Sequence, residues 1–286
     1  MRRPTYPYFR ATLADSPLVK VAGVHSALGG LLAQEAGFGA LWASSLEISA
    51  VRGLPDASVL TMTELLQAAS DVQKVTGIPV VADCDTGFGN NINVAHMVHE
   101  YERAGITGVC IEDKPYPKMN SFADTGQDLV DAGVFARKIE VAKGAQSTAE
   151  FFLIARTEAL ICGLGVPEAL SRCRRYADAG ADAVLVHSKQ PTNVQVLEFL
   201  AEWEGRLPVV IVPTTYPDWH ADDAAKAGVS AIIYANQGLR AIVTALRGTY
   251  ESINSMGTAS QLTAEIASVK DVFGLQRLRE WQQLQD

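Results

Sequence analysis

One phrase recurs four times along the chain: Ala36-Gly37-Phe-Gly-Ala-Leu-Trp-Ala-Ser, Ala104-Gly105-Ile-Thr-Gly-Val-Cys-Ile-Glu, Ala179-Gly180-Ala-Asp-Ala-Val-Leu-Val-His and Ala227-Gly228-Val-Ser-Ala-Ile-Ile-Tyr-Ala. Each copy ends a helical stretch at Ala-Gly, turns, and enters a short apolar run. Glycine just past a helix end suits a left-handed cap. The runs are apolar throughout instead of alternating, as parallel strands buried on both faces require. Further runs at Leu18–Val24, Pro79–Ala82, Phe151–Ala155 and Pro208–Val212 bring the count to eight strands. Helical patterns lie between them, among them Thr63–Val75, Val94–Arg103, Pro167–Asp178 and Ala221–Ala227. Alternating strands and helices in this number predict an α/β chain folded as a (β/α)8 barrel. A doubly wound open sheet would carry a glycine-rich phosphate turn after an early strand, and no G-x-G-x-x-G or Walker-type lysine is present.

At 286 residues the chain fits one barrel domain, with the barrel at about 15–250 and a helical extension at about 260–286. In that extension Ser268-Val-Lys-Asp271 reads as a capping box. Val269, Val272, Phe273, Leu275, Leu278, Trp281 and Leu284 then follow at helical spacing. The apolar face packs either on its own barrel or on a partner subunit, and periodicity alone does not separate the two. A net charge of -8 argues against a nucleic-acid or anionic-membrane surface, which needs clustered Lys and Arg. No apolar run reaches membrane-spanning length. The basic start, MRRPTYPYFR, lacks the apolar segment of a signal peptide. Cys84, Cys110, Cys162 and Cys173 form no C-x-x-C pair and read as reduced thiols of a cytoplasmic enzyme.

In such a barrel the C-terminal strand ends converge on one face, where the chemistry sits. Here strand after strand stops on polar groups: Trp42-Ala-Ser44-Ser45, Asp83-Cys-Asp85-Thr-Gly-Phe-Gly-Asn90, Glu112-Asp113-Lys114, Arg156-Thr-Glu158, His187-Ser188-Lys189, Pro213-Thr214 and Ala235-Asn236. A charge at the rim of a core costs free energy unless it is paired or metal-bound. Asp83 and Asp85, two apart in a strand, are expected to point the same way. With Glu112 they make an all-oxygen set that suits Mg2+, and no His/Cys cluster speaks for zinc. The structural alternative pairs these acids with Lys114, Arg156 or Lys189, and both arrangements can coexist. Arg156 and His187 offer donors to an anionic oxygen substrate. Ser44 and Ser45 form either a phosphate-binding turn or a plain one. The glycines of Thr86-Gly-Phe-Gly-Asn90 let the backbone approach a ligand. Trp42 reads as core. His96 and His99 fall on a surface helix, and His25 and His220 receive no role.

The pattern Asp83-x-Asp85-Thr-Gly-x-Gly-Asn90 resembles the metal motif of the isocitrate lyase/phosphoenolpyruvate mutase superfamily, and the likeness runs over essentially the whole chain. Glu112-Asp113-Lys114, five residues, then Asn120-Ser121 is similar to the EDKx5NS signature of its phosphoenolpyruvate mutases. The lyases' K-[KR]-C-G-H motif is missing, and phosphonopyruvate hydrolases carry Thr where Asn120 stands. The resemblance implies Mg2+-dependent interconversion of phosphoenolpyruvate and phosphonopyruvate, the first step of phosphonate biosynthesis, with hydrolysis of phosphonopyruvate or C–C lysis as alternatives. A catalytically silent barrel is disfavoured by the intact acidic and basic set. The same resemblance implies Asp83 as direct metal ligand and Asp85 and Glu112 as ligands through water. It further implies Trp42, Ser44, Ser45 and Ser121 at the substrate, and Arg156, His187 and Asn120 on the phosphoryl group. Lys118 and Asn120 would ride on a mobile lid, Asp56 would stand near the site, and dimers that exchange the last helix would pair into tetramers. Ala43-Ser44-Ser45 departs from the Gly-Ser-Gly frequent in relatives, and Cys84 fills a slot usually held by another small or apolar residue.

Overall fold

A computed structural model describes residues 6–284. Eight parallel strands close into a barrel in sequence order: β1 Val19–Val24, β2 Ala40–Ala43, β3 Val80–Asp83, β4 Gly108–Glu112, β5 Phe152–Thr157, β6 Ala183–Val186, β7 Val209–Ile211 and β8 Val229–Tyr234. The expected (β/α)8 architecture is therefore present. The four Ala-Gly caps explain part of its regularity. Gly37, Gly105, Gly180 and Gly228 all take positive φ, between 85° and 101°, where a Cβ is strained. Around Gly37 there is open space, so a Gly37→Ala change tests backbone strain alone. It is expected to lower unfolding free energy by about 1 kcal/mol. Urea denaturation checks this, and an unchanged midpoint would remove the cap argument.

Alternate strand residues point inward and outward. Inside the barrel, Val21, Trp42, Val81, Cys110, Ile154, Leu185, Val210 and Ile233 form one buried cluster. Phe9 belongs to it and meets the Phe152 ring edge-on at 5.3 Å. Because Phe152 opens β5, Phe9 closes the N-terminal end of the barrel. Two further clusters lie between the strands and the surrounding helices. With the interior packed and the N-terminal end shut, the C-terminal strand ends are left to carry a site.

The chain divides into two compact units, the first ending at Asn236 and the second starting at Gln237. The second contains the helix Gln237–Met256, a short 3-10 turn Ser260–Leu262, and helices Val269–Leu275 and Leu278–Gln282. The capping box at Ser268 is formed: Ser268 Oγ accepts from Asp271 N at 3.1 Å, and Ser268 N donates to Asp271 Oδ2 at 3.0 Å. The single helical run expected from there to Leu284 is corrected, because it breaks at Arg277, whose φ is 54°. Gly274 weakens the helix just before the break, and Arg277 ion-pairs with Glu280 across it. No helix among the described residues is long and apolar enough to cross a membrane.

Candidate active site

A small cavity opens at the C-terminal strand ends. Trp42, Ser44, Asp56, Asp83, Arg156 and His187 contribute to its walls from the barrel. Lys118, Asn120, Ser121 and Phe122 reach it from the long segment after β4. The space between them admits the centres of water molecules over only about 50 Å³, room for a few waters or a small oxyacid. Thus the expected residues do meet, and the segment after Glu112, where a lid is expected, borders the site.

Asp83 ends β3. Its Oδ2 accepts from Ser45 Oγ at 2.9 Å and its Oδ1 from Asp85 N at 3.3 Å. Asp85 comes to the site differently from the expectation. It lies beyond the strand with φ 50°, so strand alternation does not apply and a turn in the left-handed region brings it in. Its Oδ2 accepts from Ser58 Oγ at 3.0 Å, and its Oδ1 stands 3.0 Å from Lys118 Nζ. The glycines of the following turn also have a different use. Gly87 and Gly89 take φ 84° and 142°, and a Cβ on either would press on Val94 or Asn93. Asn90 caps the next helix, accepting from Ile92 N at 2.9 Å. This turn is shaped by packing, and no ligand contact is needed to account for its glycines.

Glu112 ends β4 and is buried. Neither carboxylate oxygen has a hydrogen-bond donor among the described residues. Arg156 Nε stands 3.2 Å from Oε2, but its N–H is directed to Glu158 Oε1 at 2.7 Å. Burial raises the Glu112 carboxyl to about 7, with Lys118 and Arg156 opposing. Burial also raises Asp85, against Lys118. Around the cavity, the buried carboxylates Asp56, Asp83, Asp85, Glu112 and Glu158 outnumber the buried cations Lys114, Lys118 and Arg156 by two. A divalent hard cation fits both that deficit and the donorless oxygens of Glu112. No three His, Cys, Asp or Glu side chains among the described residues form a ready-made cage. Magnesium keeps waters and substrate oxygens among its ligands, so Asp83, Asp85 and Glu112 would hold it only together with those.

The two serines are used within the protein. Ser44 Oγ caps the helix Ser45–Ala50 by accepting from Glu47 N at 3.3 Å, and Ser45 Oγ is given to Asp83 and Asp56. Trp42, buried on β2, forms part of the cavity floor. Asp56 gains a definite place: it receives the lid. Asn120 Nδ2 donates to its Oδ2 at 2.6 Å, and Lys118 Nζ lies 3.3 Å from its Oδ1. Burial works to raise the Asp56 carboxyl, but Lys118 and Asn120 outweigh it and hold it below the usual range. Lys118 is fully inside the acidic cluster. Burial opposes its charge, and Asp85, Glu112 and Asp56 overcome that and hold its ammonium protonated.

His187 follows β6 and is buried. Its Nδ1 lies 3.0 Å from Arg156 Nη2 and 3.3 Å from Glu158 Oε1. Arginine can only donate and a carboxylate can only accept, so the shorter contact, the one with Arg156, assigns Nδ1 as the acceptor and places the proton on Nε2. Burial, then the Arg156 charge, lowers the imidazole's pKa, consistent with a neutral ring. The Nε2–H has no partner among the described residues and is available to a ligand oxygen. Sequence reasoning missed Phe122, which meets the His187 ring edge-on at 5.6 Å, and Ser58, which holds both Asp85 and the Lys118 backbone N–H. Neither lies in a motif, so no local signal marks them.

A family profile described as phosphoenolpyruvate phosphomutase matches residues 9–254. The phosphonopyruvate hydrolase of Variovorax sp. (strain Pal2) is 42% identical over 269 residues, 93% of each chain. The crystal structure of phosphoenolpyruvate phosphomutase from Streptomyces platensis subsp. rosaceus superposes with a TM-score of 0.94 at 49% identity, over 96% of each chain. The structure of phosphonopyruvate hydrolase in complex with oxalate and Mg++ superposes with a TM-score of 0.91 at 39% identity, over 96% of this chain and 95% of that one.

Proposed function

The chain belongs to the phosphoenolpyruvate phosphomutase family, and from that premise we propose that it is a Mg2+-dependent mutase interconverting phosphoenolpyruvate and phosphonopyruvate. The observation that carries the reading is Asn120. It stands in the EDKx5NS segment, borders the cavity, and is held on Asp56. Its amide keeps a second N–H free of that bond for a phosphoryl oxygen.

In the proposed reaction the P–C3 bond of phosphonopyruvate breaks and its electron pair is left on the pyruvyl enolate. The phosphoryl group then bonds to the enolate oxygen at C2, and no water takes part. Such a transfer is loose and needs positioning and charge neutralisation more than a nucleophile. Arg156, His187 Nε2–H and Asn120 hold the phosphoryl oxygens, and Trp42 walls the pyruvyl plane beside the Ser44–Ser45 turn. Asp83, Asp85 and Glu112 would hold the metal, which when bound would supply positive charge against the negative charge that develops on the enolate. The Mg++ of the similar hydrolase complex and the donorless Glu112 oxygens support this assignment. Lid residues Lys118, Asn120, Ser121 and Phe122 exclude the water that would otherwise intercept the phosphoryl group. The four free thiols support a cytoplasmic location.

The Variovorax relative favours a second reading, hydrolysis to pyruvate and phosphate. Phosphorus NMR of the protein with Mg2+ and phosphonopyruvate separates them. A phosphoenolpyruvate resonance growing without phosphate is expected. Phosphate with pyruvate would assign the hydrolase instead.

A further inference from the structure

Glu158 is fully buried and stands at a junction that the proposed chemistry does not use directly. Its Oε1 accepts from Arg156 Nε at 2.7 Å and lies 3.3 Å from His187 Nδ1. Its Oε2 accepts from the hydroxyl of Ser121, a lid residue, and lies 3.6 Å from Lys114 Nζ at the base of the lid. Ser121 Oγ in turn accepts from Arg156 Nη2 at 2.8 Å. Three side chains therefore close a ring: Arg156 to Ser121, Ser121 to Glu158, and Arg156 back to Glu158. Lys114 ties the lid to the same point, donating to Met119 O at 2.8 Å and to Gln127 Oε1 at 2.6 Å.

We propose that Glu158 is a positioning residue that latches the lid to the phosphoryl-binding pair, so that the lid closes only over a correctly oriented Arg156. The naming of that pair rests on the functional reading above; the latch itself rests on the ring. A serine hydroxyl has one proton to give and lone pairs to receive. In the ring it gives its proton to a carboxylate and receives from a guanidinium, both charged partners and both shielded from water. Hydrogen bonds of that kind are stronger than neutral ones. Neither half suffices alone. Without Glu158 the Arg156 fork loses its in-plane restraint, and without Arg156 the hydroxyl faces a buried carboxylate left with only Lys114, 3.6 Å away, to balance it. Burial works to raise the Glu158 carboxyl, and the Arg156 charge overcomes it and holds the group ionised. The acceptor the lid needs is thus always present. Asp113 supports the same point from behind, accepting from Glu158 N at 2.9 Å, which fixes the backbone from which the carboxylate projects.

Hydrogen–deuterium exchange of the full-length, substrate-free protein tests the latch. Glu158→Gln and Ser121→Ala are each expected to speed exchange in peptides covering 118–128 about tenfold, with strand peptides unchanged. Because both changes break one ring, the double variant should exchange no faster than Glu158→Gln alone. Ser121→Thr, which keeps a hydroxyl, should restore slow exchange. Lid exchange at the wild-type rate in Ser121→Ala, or effects of the two changes that multiply, would overturn the proposal. So would loss of activity in Glu158→Gln with an undisturbed lid. If Glu158→Gln does not fold, the Ser121→Ala and Ser121→Thr pair decides alone. A wild-type protein that leaves phosphonopyruvate untouched, while its lid responds as stated, overturns the functional reading and supports the latch.

Discussion

An Asp83→Ala protein is expected to keep its fold and to lose about a thousandfold or more in kcat/KM with phosphonopyruvate. Asp83 sits at the end of β3 and is oriented from two sides, by Ser45 Oγ and by Asp85 N. That degree of positioning suits a direct metal ligand. A bound divalent cation stabilises developing oxyanion charge by several kcal/mol, and a thousandfold corresponds to about 4 kcal/mol. Affinity for Mn2+, followed by electron paramagnetic resonance, should fall at least about a hundredfold in parallel. Activity within tenfold of wild type, or undiminished Mn2+ binding, would remove Asp83 from the metal site. Circular dichroism guards against a trivial loss by unfolding.

Arg156→Ala is expected to act on two quantities together. Arg156 is the cation beside both Glu112 and Glu158. Removing one member of a buried ion network leaves uncompensated charge and costs about 3–5 kcal/mol of stability. It also removes the group proposed to bind the phosphoryl oxygens, so a loss of about a thousandfold in kcat/KM is expected at temperatures where the variant remains folded. Arg156→Lys separates the two roles. Lysine keeps the charge but cannot form the planar fork, so it should recover much of the stability and little of the activity. If the lysine variant recovered both, Arg156 would be a structural counter-ion and the phosphoryl-binding role would fall. Urea unfolding and steady-state kinetics on the same preparations give both numbers.

The (β/α)8 order was readable because it rests on local chemistry. A glycine at a helix end marks four of the strands and a doubly apolar run marks all of them wherever the chain later goes; all eight runs became strands, the four with stated bounds within two residues of their expected ends. The polar strand ends were readable for the same reason: a barrel sends every one of them to a single face. Asp85 was expected there by strand alternation and arrives by a left-handed turn instead, since alternation stops where the strand stops. The terminal helix was read through Arg277 because apolar spacing persists across it. A single left-handed residue, which spacing does not register, breaks it.

Local sequence thus determined the barrel, the face on which chemistry can occur and the charged groups delivered to it. The partners of those groups were set by folding. Lys118 reaches Ser45 from 73 residues away and Ser121 reaches Glu158 from 37. Hydrogen bonds and ion pairs are short-ranged and directional, so which acid receives which lid residue depends on where the closed barrel holds them. Propensity and spacing carry no term for that distance.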